Sequence, residues 1–324
     1  MELKADHLSG TRLLNLDTEV EGDFLVSCSG GSNIDLSFDI EREANSSKAY
    51  KLSISGLKGG HSGVEIDKQR ANAIKLAARL LYLVKADVRL ASFVGGIKHN
   101  AVPANAEVVF ATDKFDSLKE GLDALVADLK EEYRVEDPGL TISFTEVTAD
   151  QVYTKDLSDS VIDMIMALPD GVQYMSKDIE GLVQTSLNNS VILENDGKLV
   201  LTTSVRSASS SSLREILNRV TIIANRMGAV AREYSSYPAW QYEAVSPLRD
   251  IAEKIYVEMY GKEPNITSIH AGLECGLLKG ILPNTDMISY GPSIFDAHTP
   301  KEHMYISSVE RVWEYTKKLL AALK

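Results

Sequence analysis

Cysteine is almost absent from this chain. Cys28 and Cys275 are the only two, too far apart in sequence to suggest a disulfide framework or a cysteine-rich zinc site. A reducing compartment suits such a chain. Basic residues are also in deficit, with 34 Lys and Arg against 46 Asp and Glu and a formal net charge of -12. Nucleic-acid backbones and anionic membranes select clustered cations, so neither is an expected partner. No apolar run approaches the length of a membrane span. The opening Met1-Glu2-Leu3-Lys4-Ala5-Asp6-His7 lacks the hydrophobic stretch of a secretory signal. A cytoplasmic location is therefore expected. Aromatic residues make up only 7%, yet 44% hydrophobic and 25% charged residues are ordinary for a folded protein. At 324 residues the chain has room for two packed cores.

The pattern of short apolar runs divides the chain in three. Leu13 to Leu16 reads as a buried strand ending at Asp17, followed by strands at Phe24–Cys28 and Ile34–Ile40, with Ser29-Gly30-Gly31-Ser32 separating the last two. A buried strand needs neighbours on both sides, so a segment preceding it is expected to be missing. The polar stretch Glu41 to Lys48 marks a boundary. Beyond it strands alternate with amphipathic helices in two successive rounds. The Asp196-Gly197 pair between two apolar alternations predicts a tight hairpin. Ser117-Leu118-Lys119-Glu120, Ser212-Leu213-Arg214-Glu215 and Ser307-Ser308-Val309-Glu310 have the form of capping boxes, which predicts helix starts there. From Pro247 onward helices and strands alternate as in the first segment. The expectation is an α/β layer formed by residues 1–45 and 244–324, interrupted by an α+β unit over 46–243 whose helices cover one face of an antiparallel sheet.

Several residues stand where chemistry is usually placed. Asp17 and His298 each lie where a strand gives way to a loop, the position at which open α/β sheets hold their ligands. Either one alone is better explained as a surface or capping group than as a metal ligand, and two ligands are too few for zinc. His61 sits in Gly59-Gly60-His61-Ser62-Gly63, where glycines allow a sharp turn or the close approach of a partner. Asn100 precedes the turn Ala101-Val102-Pro103. Arg206 ends an apolar strand, where its guanidinium could grip a carboxylate with two parallel hydrogen bonds or simply meet solvent. In His270-Ala271-Gly272-Leu273-Glu274-Cys275-Gly276 a strand passes into a helix, so backbone N–H groups and Glu274 could face a ligand.

Taken together, these runs closely resemble the aminoacyl-histidine dipeptidases, within the di-zinc aminoacylase and carboxypeptidase superfamily. The matching stretches are Leu14 to Glu19, Gly56 to Gly63, Asn100 to Pro103, Ile269 to Leu277 and Gly291-Pro292 through His298-Thr299-Pro300. The resemblance implies an incomplete zinc-peptidase catalytic domain of α/β class, interrupted by a lid or dimerisation domain, and hydrolysis of dipeptides of the Xaa-His type and others. It implies two Zn2+ ions, with Co2+ or Mn2+ as alternatives, bound in part by Asp17 and His298. By the same resemblance His61 would donate to the tetrahedral oxyanion, Arg206 would hold the substrate's C-terminal carboxylate, and Asn100 and Glu274 would line the pocket. The lid would serve its own active site or form a homodimer that lends His61 to a partner. The family's His-x-Asp motif, bridging aspartate and Glu-Glu pair precede the position of Asp17 and are not found in the sixteen residues before it. The chain is accordingly expected to be a C-terminal fragment that neither assembles two zincs nor activates water. The alternative is a non-catalytic binding or oligomerisation module.

Overall fold

Asp196 and Gly197 turn the chain between strands Val183–Asn195 and Lys198–Ser207, both at positive φ (48° and 73°), as a two-residue hairpin requires. The structure, a computed structural model, describes residues 3–297 and 299–324. It begins with β1 (Arg12–Asn15), β2 (Asp23–Cys28), β3 (Gly30–Asp39), β4 (Arg42–Ala44) and β5 (Ala49–Ser55). Helix α1 (Ala73–Val84) then leads to β6 (Arg89–Gly95) and β7 (Ala106–Ala111), and α2 (Phe115–Glu132) to β8 (Thr141–Val147) and β9 (Gln151–Tyr153). Next come α3 (Lys155–Ala167), β10 (Gly171–Met175), the hairpin β11 (Val183–Asn195) and β12 (Lys198–Ser207), α4 (Ser210–Arg226) and β13 (Val230–Tyr237). The last part comprises α5 (Pro247–Tyr260), β14 (Asn265–Ile269), α6 (Glu274–Ile281), β15 (Asp286–Ser289), β16 (Ile294–Phe295), β17 (His303–Met304) and α7 (Ile306–Ala322).

Two sheets carry most of these strands, while β4 pairs with β9 and β16 with β17 in two-stranded ribbons. The smaller has the order β1-β15-β2-β14 and mixes parallel with antiparallel pairs. Its core joins Phe24, Ile288 and Tyr290 to Leu248, Ala252 and Tyr256 of α5 and to Tyr315 and Leu319 of α7. Phe24 meets Tyr256 edge-on, with ring centroids 5.3 Å apart, an arrangement that adds to simple burial. Ser246 caps α5 by accepting the Arg249 N–H at 3.1 Å and donates to Asp286 at 2.6 Å, which ties the helix start to β15. Gly261, at φ 68°, ends the helix in the left-handed conformation that a side chain would resist.

The larger sheet has the order β13-β3-β12-β11-β6-β7-β5-β8, with β10 added beside β11, and its pairs are antiparallel. One continuous core packs α1, α2, α3 and α4 against it. The sheet consists of two halves with the same path. In the first, β5-α1-β6-β7-α2-β8 gives the order β6-β7-β5-β8; in the second, β3-α3-β11-β12-α4-β13 gives β11-β12-β3-β13. The halves meet where β6 and β11 run antiparallel at Gly95 and Ile192. The corresponding helices α1 and α3 also touch, with Lys75 of α1 donating to the carbonyls of Met166 and Leu168 at the end of α3.

Several sequence expectations are altered. Leu13 and Leu14 are only half-buried, and β1 lies at the edge of its sheet with β15 as its one neighbour among the described strands. Ser29-Gly30-Gly31-Ser32 does not separate the two strands as a whole; only Ser29 lies between them. From Gly30 it is the start of β3, and a Cβ at Gly30 would stand 2.5 Å from the Ala239 backbone nitrogen. β3 pairs along its length with β12 in the larger sheet, because alternation identifies a strand but not its partners. The three helices expected at capping boxes start earlier. Ser209 caps α4, Lys114 and Tyr305 precede α2 and α7, and the Ser308 hydroxyl instead accepts the Ser293 N–H at 2.9 Å.

Candidate active site between lid and layer

The chain crosses from layer to lid twice, side by side. Cys28 and Trp240 exchange backbone hydrogen bonds of 2.9 and 3.1 Å, so the exit into β3 and the return from β13 form one ribbon. The larger sheet thereby hangs over the loop that follows β14.

His61 belongs to the first half of the lid. Its Nδ1 accepts the backbone N–H groups of Gly63 and Val64 at 3.1 and 3.2 Å, which leaves the ring proton on Nε2 as a donor. Burial first, and then the positive charge of Arg206, holds its pKa below the usual histidine value. The imidazole is thus a neutral donor at neutral pH. The turn is held on both sides. Ser62 N–H donates to the Asn100 carbonyl and Val102 N–H to the Gly60 carbonyl, each at 2.9 Å, and His61 forms a bridge with Ala101. Asn100 is brought beside His61 in this way. Glu65 accepts the His61 N–H at 2.9 Å.

Arg206 belongs to the second half. Leu187 and Val205 point into the lid core, so alternation puts Ser186 and Asn188 of β11 and Arg206 of β12 on the opposite face. Arg206 is the direct cross-strand partner of Ser186. Its Nη1 donates to the Tyr237 hydroxyl at 2.8 Å, while its Nε is buried without a partner. It opens onto a cleft of ≈ 310 Å3 that His99, Ser204, Tyr234 and Tyr237 also line.

The layer contributes His270, Glu274 and Asp17. His270 is buried, with its Nε2 2.7 Å from the Ser186 hydroxyl and its Nδ1 unpartnered. Its pKa is pushed down to about 3 by burial, then by Arg206 and His61. A Cβ at Gly63 would come within 2.5 Å of the His270 carbonyl oxygen, so the His61 turn of the lid rests directly on this loop. Asn15 connects the remaining pair. Its Nδ2 donates to Glu274 at 2.8 Å, and its Oδ1 accepts the Asp17 N–H at 2.9 Å and the Ser289 hydroxyl at 2.6 Å. His298 lies outside the described residues.

His61, Asn100 and Arg206 are therefore gathered under the lid, and Asp17 and Glu274 stand together on the layer. Sequence reasoning missed Glu65, Ser186, Asn188 and Tyr237 as their supports, and assigned no role to His270. Only His270 carried a signal, as part of the family-like run; the other four act through register and turn geometry between distant segments. Of the buried side-chain atoms lacking a partner, Ser62 Oγ, Asn188 Oδ1, Arg206 Nε and His270 Nδ1 all belong to this region. Buried polar atoms normally find partners, so their grouping here marks a place for a polar ligand.

A metal pair is a separate question. Among the described residues no three His, Cys, Asp or Glu side chains come together as a metal ion would need. Asp17 and Glu274 are two exposed carboxylates, whereas catalytic zinc takes three protein ligands. The described residues thus do not by themselves fit a zinc pair.

An α/β layer interrupted by an antiparallel lid that returns a neutral histidine and an arginine over the layer's loops defines a lid-bearing peptidase. Residues 52–137 match the peptidase dimerisation domain of the M20 peptidases. The chain is 35% identical to the cytosol non-specific dipeptidase of Escherichia coli, over 98% of this chain and 67% of that protein. The crystal structure of the aminoacylhistidine dipeptidase from Vibrio alginolyticus superposes with a TM-score of 0.93 at 37% identity, covering 99% of this chain and 67% of that one. The chain belongs to this dipeptidase family. No described helix is long and apolar enough to cross a membrane.

Proposed function

We propose that this chain grips a dipeptide between lid and layer, with Arg206 on the C-terminal carboxylate, Asn100 and Glu274 along the pocket, and His61 Nε2–H on the oxygen of the scissile carbonyl. The carrying observation is the Arg206 guanidinium, fixed by Tyr237 at one nitrogen and left with an unused buried Nε–H on the face that meets the layer. A planar fork of this kind suits a carboxylate. The neutral His61, with its proton directed to Nε2 by two backbone donors, suits a carbonyl oxygen that gains negative charge during hydrolysis. Dipeptides of the Xaa-His type are the proposed substrates, and the cytosol, named for the Escherichia coli relative, is the proposed location.

The first half of the lid carries the dimerisation-domain match, and its β6 edge is taken by β11 of the same chain. We therefore assign His61 to the site of its own chain, where Arg206 influences its proton affinity, rather than to a partner's.

In the family-like reading Asp17 and His298 are metal ligands. The described residues supply the grip and the oxyanion donor but no complete metal set, so the chain by itself is expected to bind dipeptides without hydrolysing them. Zinc content after dialysis, together with assays on Gly-His and Ala-His, tests this. Near-stoichiometric zinc with turnover would overturn it, and failure to bind either dipeptide would favour a module without substrate recognition.

A further inference from the structure

Ser186 and Arg206 face each other across β11 and β12 on the side turned toward the layer, at the close spacing of cross-strand neighbours. The His270 imidazole lies against Ser186 from below, Nε2 to Oγ at 2.7 Å. The Ser186 hydroxyl has no other acceptor among the described residues, so its proton belongs on this bond. Nε2 then accepts, and the ring carries its hydrogen on Nδ1. That Nδ1–H is buried and has no partner, and neither has the Nε–H of Arg206, whose charge acts on the same ring. Two donors and a fixed positive charge thus share one buried neighbourhood, and neither donor meets an acceptor there. Leaving such donors buried and unmet is costly, whereas an anion with two oxygens would satisfy both.

We propose that His270 is the second donor of the carboxylate clamp, with its Nδ1–H and the Nε–H of Arg206 together taking the C-terminal carboxylate of the substrate. Ser186 is a positioning residue that sets the ring's tautomer. His270 stays uncharged throughout the neutral range, so it adds geometry to the clamp and not charge. Because the donors sit where the His61 turn closes on the layer, the carboxylate enters before the lid settles and is then sealed from water. The inference rests on Arg206 acting as the clamp.

The test uses the full chain and two probes, Gly-His and its C-terminal amide, with dissociation constants measured by calorimetry or NMR titration. The readout is the ratio of the two affinities, which a general loosening of the lid would lower equally for both. Arg206→Gln is expected to abolish the preference for the free carboxylate. His270→Ala is expected to reduce that preference about tenfold, the loss of one hydrogen bond to a charged group. His270→Asn, whose amide nitrogen can stand near the position of Nδ1, is expected to restore most of it, and His270→Gln is not. In the wild type, the Nδ1–H resonance of His270 should shift when Gly-His is added and not when the amide is added. An unchanged ratio in His270→Ala, with the ratio lost in Arg206→Gln, overturns the role of His270 and leaves the clamp intact. An unchanged ratio in Arg206→Gln overturns both. An Nδ1–H signal that exchanges with water and ignores Gly-His identifies a buried water as the partner and overturns the proposal.

Discussion

The Glu65 carboxylate accepts the backbone N–H of His61 at 2.9 Å, so the main chain of the candidate oxyanion donor is held by a side chain four residues further on. The other carboxylate oxygen takes Lys68 at 2.7 Å and Arg70 at 3.2 Å, and Arg70 also reaches the Gly59 carbonyl. One acid therefore ties together both ends of the turn.

Replacing that acid should be felt mainly above pH 4.5. The Lys68 hydrogen bond, and then that of the His61 N–H, lowers the Glu65 pKa from 4.5 to about 2. A carboxylate whose folded pKa is depressed contributes stability above its unfolded pKa and loses it as pH falls toward the folded value. With 29% of the side chain exposed, screening reduces the effect to about 1–2 kcal/mol. Glu65→Gln should be less stable than wild type by that amount at pH 7 in denaturant unfolding, and the gap should narrow at pH 3. A gap of equal size at both pH values would contradict the assignment.

His270 predicts acid sensitivity of a different origin. Its pKa falls from 6.5 to about 3 in the folded chain, so between these values the unfolded state binds a proton that the folded state refuses. Stability must then rise with pH across this window, by at most about 1.4 kcal/mol per unit from this residue, and be fully present above pH 6.5. His270→Asn removes this contribution. Its unfolding free energy should fall less steeply than that of wild type between pH 6.5 and 4, and parallel slopes would show that the imidazole is not sealed off.

The sequence made some of this legible because the signals were local. Asp196-Gly197 needs only its own backbone to turn, and the glycines around His61 signal a tight turn wherever the chain goes next. Arg206 was recognisable as a strand-end guanidinium. What surrounds these residues was hidden, because it depends on register between segments far apart in sequence. Nothing in the neighbourhood of Ser186 shows that it will stand opposite Arg206 and over His270, and nothing near Asn15 shows that it will hold Glu274. Gly30 and Gly31 read as a break between strands because their close neighbours, Ala239 and the Tyr237 ring, lie some two hundred residues away. The capping serines misled for a simpler reason: all three patterns lie inside helices that begin one or two residues earlier.

Gly63 offers a direct test of the contact between lid and layer. A Cβ there would stand 2.5 Å from the backbone oxygen of His270 and 3.0 Å from the His61 ring. The first neighbour is main chain and cannot swing away. Gly63→Ala should cost about 1–3 kcal/mol of stability, as overpacking does. It should also raise proteolytic sensitivity at the lid crossings, Ser29–Gly30 and Tyr237–Trp240. Full stability with unchanged cleavage would mean that the turn does not rest on the loop.

Tyr237 separates anchoring of the arginine from packing of the lid. Its hydroxyl accepts from Arg206 Nη1 at 2.8 Å. Its ring fills the space that side chains at Gly31 and Gly272 would otherwise take, within 2.9 Å of a Cβ at either position. Tyr237→Phe keeps the ring and deletes one hydrogen bond, so stability should change by no more than about 1 kcal/mol. The guanidinium, no longer fixed at Nη1, should grip a carboxylate about three- to tenfold more weakly, while affinity for the dipeptide amide stays level. Arg206→Lys should lose more than Tyr237→Phe, because an ammonium is a point donor without the planar fork. Titrating Gly-His and its amide against the three proteins gives the order, and a lysine that binds the carboxylate as well as the wild-type arginine would remove the case for a two-pronged clamp.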